Sequence, residues 1–126
     1  MKENKEALAA SKYENLLPNL ADYVRHYSVK RKKSIAIAEF DTGEKISWKK
    51  FNQSVDAFAA KLLSSGFKKG DIIATSLPLL KEHIYLIYAC YRTGIILAPL
   101  DLRLKGEEII YCFEKIKPKA YFFLGK

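Results

Sequence analysis

Apolar and polar positions change their period several times along this chain, and each change marks an element. From Asn19 onward, Leu20, Val24 and Tyr27 recur at helical spacing, with Asn19 placed to cap the helix and Asp22 in its first turn. That helix runs out in the basic stretch at Lys30, where cations suit the partial negative charge of a helix C-terminus. Ser34 to Phe40 then alternates and is rich in β-formers, Asp41-Thr42-Gly43-Glu44 reads as a turn, and Lys45 to Trp48 resumes the extended pattern. The prediction is a β-hairpin. Ser47 precedes a helical run in which Phe51, Val55, Phe58, Ala59, Leu62 and Leu63 mark one face, stopped by Ser64-Ser65-Gly66. Residues 1 to about 15 show no sustained period and are expected to form a loose, partly helical lead-in.

The second half of the chain reads differently. Ile72-Ile73-Ala74-Thr75-Ser76 is a continuous run of strand length, the kind buried on both faces of a parallel sheet. Pro78 is expected to open the next helix, through Ile84, Ile87, Tyr88 and Tyr91 to Thr93-Gly94, because a first-turn proline loses no amide hydrogen bond. Ile95 to Ala98 reads as a second buried strand. A helix beginning at Gly106-Glu107-Glu108 carries its acids at its positive end and is broken by Pro118; Ala120 to Leu124 is a final strand. The order from Asp71 is β-α-β-α-β, which implies right-handed crossovers and a mainly parallel sheet with packed helices. The fold class is α/β: a β-hairpin followed by a βαβαβ unit, with residues 1–18 as lead-in and 19–126 as one α/β subdomain.

Composition narrows the function classes. With 126 residues, 49% of them hydrophobic and 29% charged, the chain is long enough to bury a real core and lies far from the balance of disordered proteins. The net charge of +8 invites a nucleic-acid reading, yet apart from Lys30, Arg31, Lys32 and Lys33 the 22 basic residues are scattered, and no nucleic-acid partner is expected. Cys90 and Cys112 lack metal-ligand spacing and are expected to be buried, reduced thiols. The polar start, Met1 to Ser11, lacks the apolar run of a signal peptide, and Ile84 to Tyr91 is too short to span a bilayer, so a cytoplasmic protein without a transmembrane segment is expected.

Candidate chemistry is sparse. The glycines are dispersed, and Gly66 and Gly70, with Phe67, Lys68 and Lys69 between them, match neither phosphate-loop nor dinucleotide spacing; they read as a helix cap and a turn. His26 and His83 stand in no recognisable arrangement with a nucleophile and an acid, and read as surface or packing histidines. Glu107 and Glu108 serve a helix N-terminus better than acid–base catalysis. The aromatics Tyr85, Tyr88, Tyr91, Tyr111, Phe113, Tyr121, Phe122 and Phe123 follow helix faces and strand alternation, as core residues do. No residue is assigned a catalytic, cofactor-binding or metal-binding role. On the residues alone, a free-standing doubly wound module binding a ligand near Leu77 and Pro99 to Asp101, and a basic nucleic-acid-binding protein, both stay open.

Three ordered segments carry a resemblance. Ile46-Ser47-Trp48-Lys49-Lys50-Phe51, then Leu62 to Asp71 ending in Gly-Phe-Lys-Lys-Gly-Asp, then Tyr91-Arg92-Thr93-Gly94-Ile95-Ile96-Leu97-Ala98-Pro99-Leu100-Asp101 resemble the opening part of the adenylate-forming superfamily, which includes acyl-CoA synthetases, peptide-synthetase adenylation domains and luciferases. Trp48 stands where that family commonly has Tyr, and Leu79 where an Asn often follows the proline. The resemblance implies part of the large N-terminal domain of an ATP-dependent ligase. The parent would use ATP, Mg²⁺ and coenzyme A to activate a carboxylic acid, a fatty acid being expected, through an acyl-adenylate. It also implies that the phosphate loop, the nucleotide-binding residues and the catalytic lysine lie downstream, so this chain holds no cofactor and is inactive alone. Its partner would be the remainder of the parent enzyme, and the sheet edge at Ala120 to Leu124 would drive self-association of the isolated piece.

Overall fold

A computed structural model describes residues 16–125; the expected lead-in at 1–15 lies outside them. Helix α1 (Leu20–Lys30) starts where Asn19 Oδ1 accepts from Ala21 N at 2.8 Å, so the side chain read as a cap is one. Strands β1 (Ile35–Ala38) and β2 (Lys45–Ser47) pair antiparallel as the expected hairpin. Phe40, however, is not a strand residue. Gly43 N donates to Glu39 O and tightens the turn, leaving the Phe40 ring fully in solvent. Helix α2 (Trp48–Ser64) begins one residue after its cap Ser47, whose hydroxyl accepts from Lys50 N. Lys49 and Lys50 occupy its first turn with no acid beside them, against the helix dipole, at a cost of about 0.3–1 kcal/mol each.

The parallel sheet is ordered β4-β3-β5, with β3 (Ile72–Ser76) in the middle, β4 (Ile96–Pro99) on one side and β5 (Ala120–Phe123) on the other. This order has a consequence for the helices α3 (Lys81–Thr93) and α4 (Gly106–Ile116). The step from β3 to β4 runs one way across the sheet and the step from β4 to β5 runs back, so right-handed crossovers place α3 and α4 on opposite faces. The contacts agree. Thr75 meets His83 of α3, whereas Tyr121, in register with Ala74 on the other face, packs edge-to-face with Phe113 of α4 at 4.9 Å.

The core lies on the α2–α3 face, where Phe51, Val55, Ala59 and Leu62 of α2 meet Ile73 of β3 and Tyr85, Leu86, Ala89 and Cys90 of α3. The opposite face is thinly covered, and no residue of α4 is fully buried. Gly94 closes α3 at φ +74°, and a Cβ there would meet Lys69 Cγ at 2.8 Å, so both the backbone and the space call for glycine.

Three expectations need correction. Pro78 does not open α3, which begins at Lys81: Leu80 N and His83 Nδ1 both turn to the Pro78 carbonyl, and Leu80 stays extended. Among the described residues the second parallel strand is an edge, not a buried strand, because only β3 flanks it and Ile96 is exposed. Cys90 is buried as expected, but Cys112 sits on thinly covered α4 and is only partly so.

Candidate functional site

In a doubly wound sheet, ligands gather where adjacent strands send their connections to opposite faces. Here that switch point lies between the carboxyl ends of β3 and β4, at Ser76-Leu77-Pro78 and Pro99-Leu100-Asp101. These are the positions at which the sequence placed a crevice. There Leu100 N donates to Thr75 O at 2.7 Å and carries the ladder past the strand end.

Behind it sits a buried polar relay that sequence reading missed. His83 lies inside α3, and its Nδ1 is 3.2 Å from Pro78 O while its Nε2 is 3.1 Å from Thr75 Oγ1. A carbonyl oxygen only accepts, so Nδ1–H donates to Pro78; in the neutral imidazole Nε2 then accepts from the Thr75 hydroxyl. The imidazole thereby ties the β3–α3 loop to the middle strand. Both ring nitrogens are thus engaged within the fold. The signal available in the sequence was a Thr at the end of a buried run with a His eight residues on, which is too unspecific to act on. Ser76 Oγ, next along β3, is buried without a hydrogen-bond partner among the described residues.

Asp101 lies at the mouth of the crevice, where Arg103 Nη2 donates to it at 2.6 Å and Arg103 N at 2.9 Å. The guanidinium, aided by that backbone amide, holds the carboxyl down at about 2. The folded chain thus favours the ionised form. The pair's contribution is present above the ordinary value of 3.8 and fades as pH falls through about 2. An NMR titration should place the Asp101 carboxyl midpoint near 2. In Arg103→Ala it should return towards 3.8, and an unmoved midpoint would show that the guanidinium is not the cause.

The remaining candidates have structural occupations. Gly66 and Gly70 both adopt positive φ, and the turn they bound is pinned by Lys119, which donates to Gly66 O at 2.9 Å and to Asp71 at 3.0 Å. Glu108 accepts from Lys105 N at 2.7 Å, capping α4. His26 packs edge-on against Tyr27 on the flank of α1. Burial pushes the Cys90 thiol up to about 11, which makes it a poor nucleophile. An open apolar groove of about 570 Å³ lies beside β5, lined by Phe58, Leu62, Phe67, Leu77, Leu86 and Phe122. No three His, Cys, Asp or Glu among the described residues come together to hold a metal. Nor is any helix among them long and apolar enough to cross a membrane.

Comparison with known proteins gives this scaffold its context. Acyl-CoA synthetase short-chain family member 3 of Rattus norvegicus is 32% identical over 80 residues, covering 64% of this chain and 12% of the rat protein. A hybrid PKS-NRPS synthetase of Penicillium citrinum is 30% identical over 79 residues, covering 63% of this chain and 2% of the fungal one. The chain therefore spans only a small part of the relatives it matches. The inhibitor-bound N-terminal domain of FACL13 from Mycobacterium tuberculosis superposes with a TM-score of 0.80 at 21% identity, over 85% of this chain and 27% of that one, and so shares its fold. The profile of the AMP-binding enzymes matches residues 24–125, from the middle of α1 to just past β5, and the chain belongs to that family.

Proposed function

We propose that this chain supplies the opening α/β layer of an AMP-forming acid–thiol ligase, a cytoplasmic acyl-CoA synthetase acting on a fatty acid, with residues 19–126 as the structural unit. The observation that carries the reading is the family match over nearly all of the described fold, together with relatives named as acyl-CoA synthetases. In such a reaction a carboxylate oxygen attacks the α-phosphate of ATP, the bond to pyrophosphate breaks, and the coenzyme A sulfur then displaces AMP from the acyl carbon.

In this reading the ATP and Mg²⁺ sites are built by the remainder of the parent enzyme. What supports this is that no three His, Cys, Asp or Glu among the described residues come together and that the Gly66–Asp71 turn is bridged by its own Lys119. No step is therefore assigned to a residue of this chain. Its role is to hold the sheet edge at β5 and the apolar groove, on which the remainder of the parent enzyme would build.

The test is ATP–pyrophosphate exchange with palmitate as probe, run on the 126-residue chain alone and on the polypeptide encoded together with its downstream reading frame. The expected result is background exchange for the chain alone, and palmitate-dependent exchange with palmitoyl-CoA formation for the longer polypeptide. Exchange by the chain alone would overturn the assignment of a supporting role. Exchange driven by amino acids without any thioester of coenzyme A would overturn the acyl-CoA reading.

A further inference from the structure

Among the acid-free stretches of the sequence are 23–38 and 45–55, and the fold brings these two together. Trp48 N donates to Ser34 O at 3.0 Å and Lys49 N to Lys32 O at 3.3 Å, clamping the link after α1 onto the first turn of α2. Lys30, Arg31, Lys32, Lys33, Lys49 and Lys50 are thereby gathered at one corner. All six are exposed, and none takes part in an ion pair among the described residues. A helix C-terminus accounts for Lys30 and Arg31. It does not account for Lys32 and Lys33, and the two lysines at the start of α2 oppose that helix's dipole.

Apolar side chains stand among these cations. Val29, in the last turn of α1, is 78% exposed, and Ile35, at the start of β1, is 52% exposed. Below them the corner is backed by aromatic rings: the Arg31 guanidinium lies 5.1 Å over Tyr27, whose ring centroid is 5.0 Å from that of Trp48 at a tilt of 45°. Cations alone would suit any polyanion. Exposed aliphatics interleaved with cations suit a surface that offers anionic headgroups and hydrocarbon within a few ångströms of each other. We infer that this corner, Val29–Ile35 with Lys49 and Lys50, is a docking surface for an anionic lipid bilayer.

The inference is independent of the ligase reading, and its test needs no activity. The full chain is sedimented with phosphatidylcholine vesicles lacking or containing about 30% phosphatidylserine, at near-physiological salt. It is expected to bind only the latter. Reversing Lys32, Lys33 and Lys49 to Glu should lower partitioning about a hundredfold or more, since each lysine contributes about a fivefold factor and reversal adds repulsion. The triple reversal Lys61→Glu, Lys68→Glu and Lys115→Glu makes the same change in net charge away from the corner and should lower it far less. Val29→Ser with Ile35→Ser, which leaves the charge alone, should lower it about tenfold. All these side chains are exposed, and circular dichroism confirms that each variant is folded. Equal losses in the two triple variants would reduce the effect to bulk charge and overturn the site. No loss in the serine variant, or tighter binding to duplex DNA than to the vesicles at equal salt, would assign the corner to a polyanion instead.

Discussion

Phe51→Ala is expected to lower the unfolding free energy by about 3–5 kcal/mol, the range for deleting a buried aromatic ring. Phe51 is the hub of a four-ring cluster, with centroids 6.0 Å from Trp48, 5.8 Å from Tyr85 and 5.3 Å from Tyr88. It joins the start of α2 to the middle of α3, and it is buried. Against a total stability of about 5–15 kcal/mol for a domain, the loss is a large fraction. Trp48, the only tryptophan, reports it directly: urea unfolding followed by its fluorescence should shift to lower midpoint by more than about 1 M. Phe51→Leu keeps most of the volume and should cost less than about 1.5 kcal/mol. If alanine and leucine proved equally mild, the ring cluster would not be the pivot described above.

Arg92→Ala should cost about 2–3 kcal/mol. Its guanidinium reaches three places at once: the Asp56 carboxylate, Asn52 Oδ1 at 3.0 Å and the Ala21 carbonyl at 3.2 Å. It thus rivets α1, α2 and α3, and its side chain is nearly buried while that of Asp56 is half-exposed. Hydrogen bonds to a charged group contribute about 1.5–3 kcal/mol, whereas an exposed carboxylate freed of its partner is solvated by water. Asp56→Ala should therefore cost less than about 1 kcal/mol, and raising the salt should leave most of the Arg92 contribution in place. Lysine cannot span three acceptors in a plane, so Arg92→Lys should recover only part of the loss. Equal effects for Arg92→Ala and Asp56→Ala would mean that the ion pair, not the three-helix rivet, carries the energy.

Features governed by near neighbours were legible in the sequence. Asn19 and Ser47 cap helices through contacts two or three residues long, and the run Ile72 to Ser76 shows its burial because every residue is small or apolar. Features that depend on which strand lies beside which were not. The period of Ile95 to Ala98 is that of any buried strand, and only the order β4-β3-β5 reveals an edge. The late start of α3 has the same origin. Pro78 suits a first helical turn, but its carbonyl is claimed by His83 in a contact that pattern reading does not contain. The Arg92 rivet joins residues separated by up to 71 positions, and the basic corner joins two acid-free stretches across a hairpin. At the switch point, Leu77 and Pro99 to Asp101 were placed correctly as positions, while the Thr75–His83 relay behind them became visible only in three dimensions.

The position of β3 between two strands made after it also sets an order of events during synthesis. When β3 leaves the ribosome, neither of its partners has emerged, and its first neighbour, β4, follows only after α3. Translation at about 5–20 residues per second leaves that apolar strand without a sheet partner for a second or more. Over that interval α2 is the finished element to hand. Its buried face includes Val55, Ala59 and Leu62, which pack with Ile73 in the final core. The helix made before the strand is thus available to shield it until the sheet can close around it.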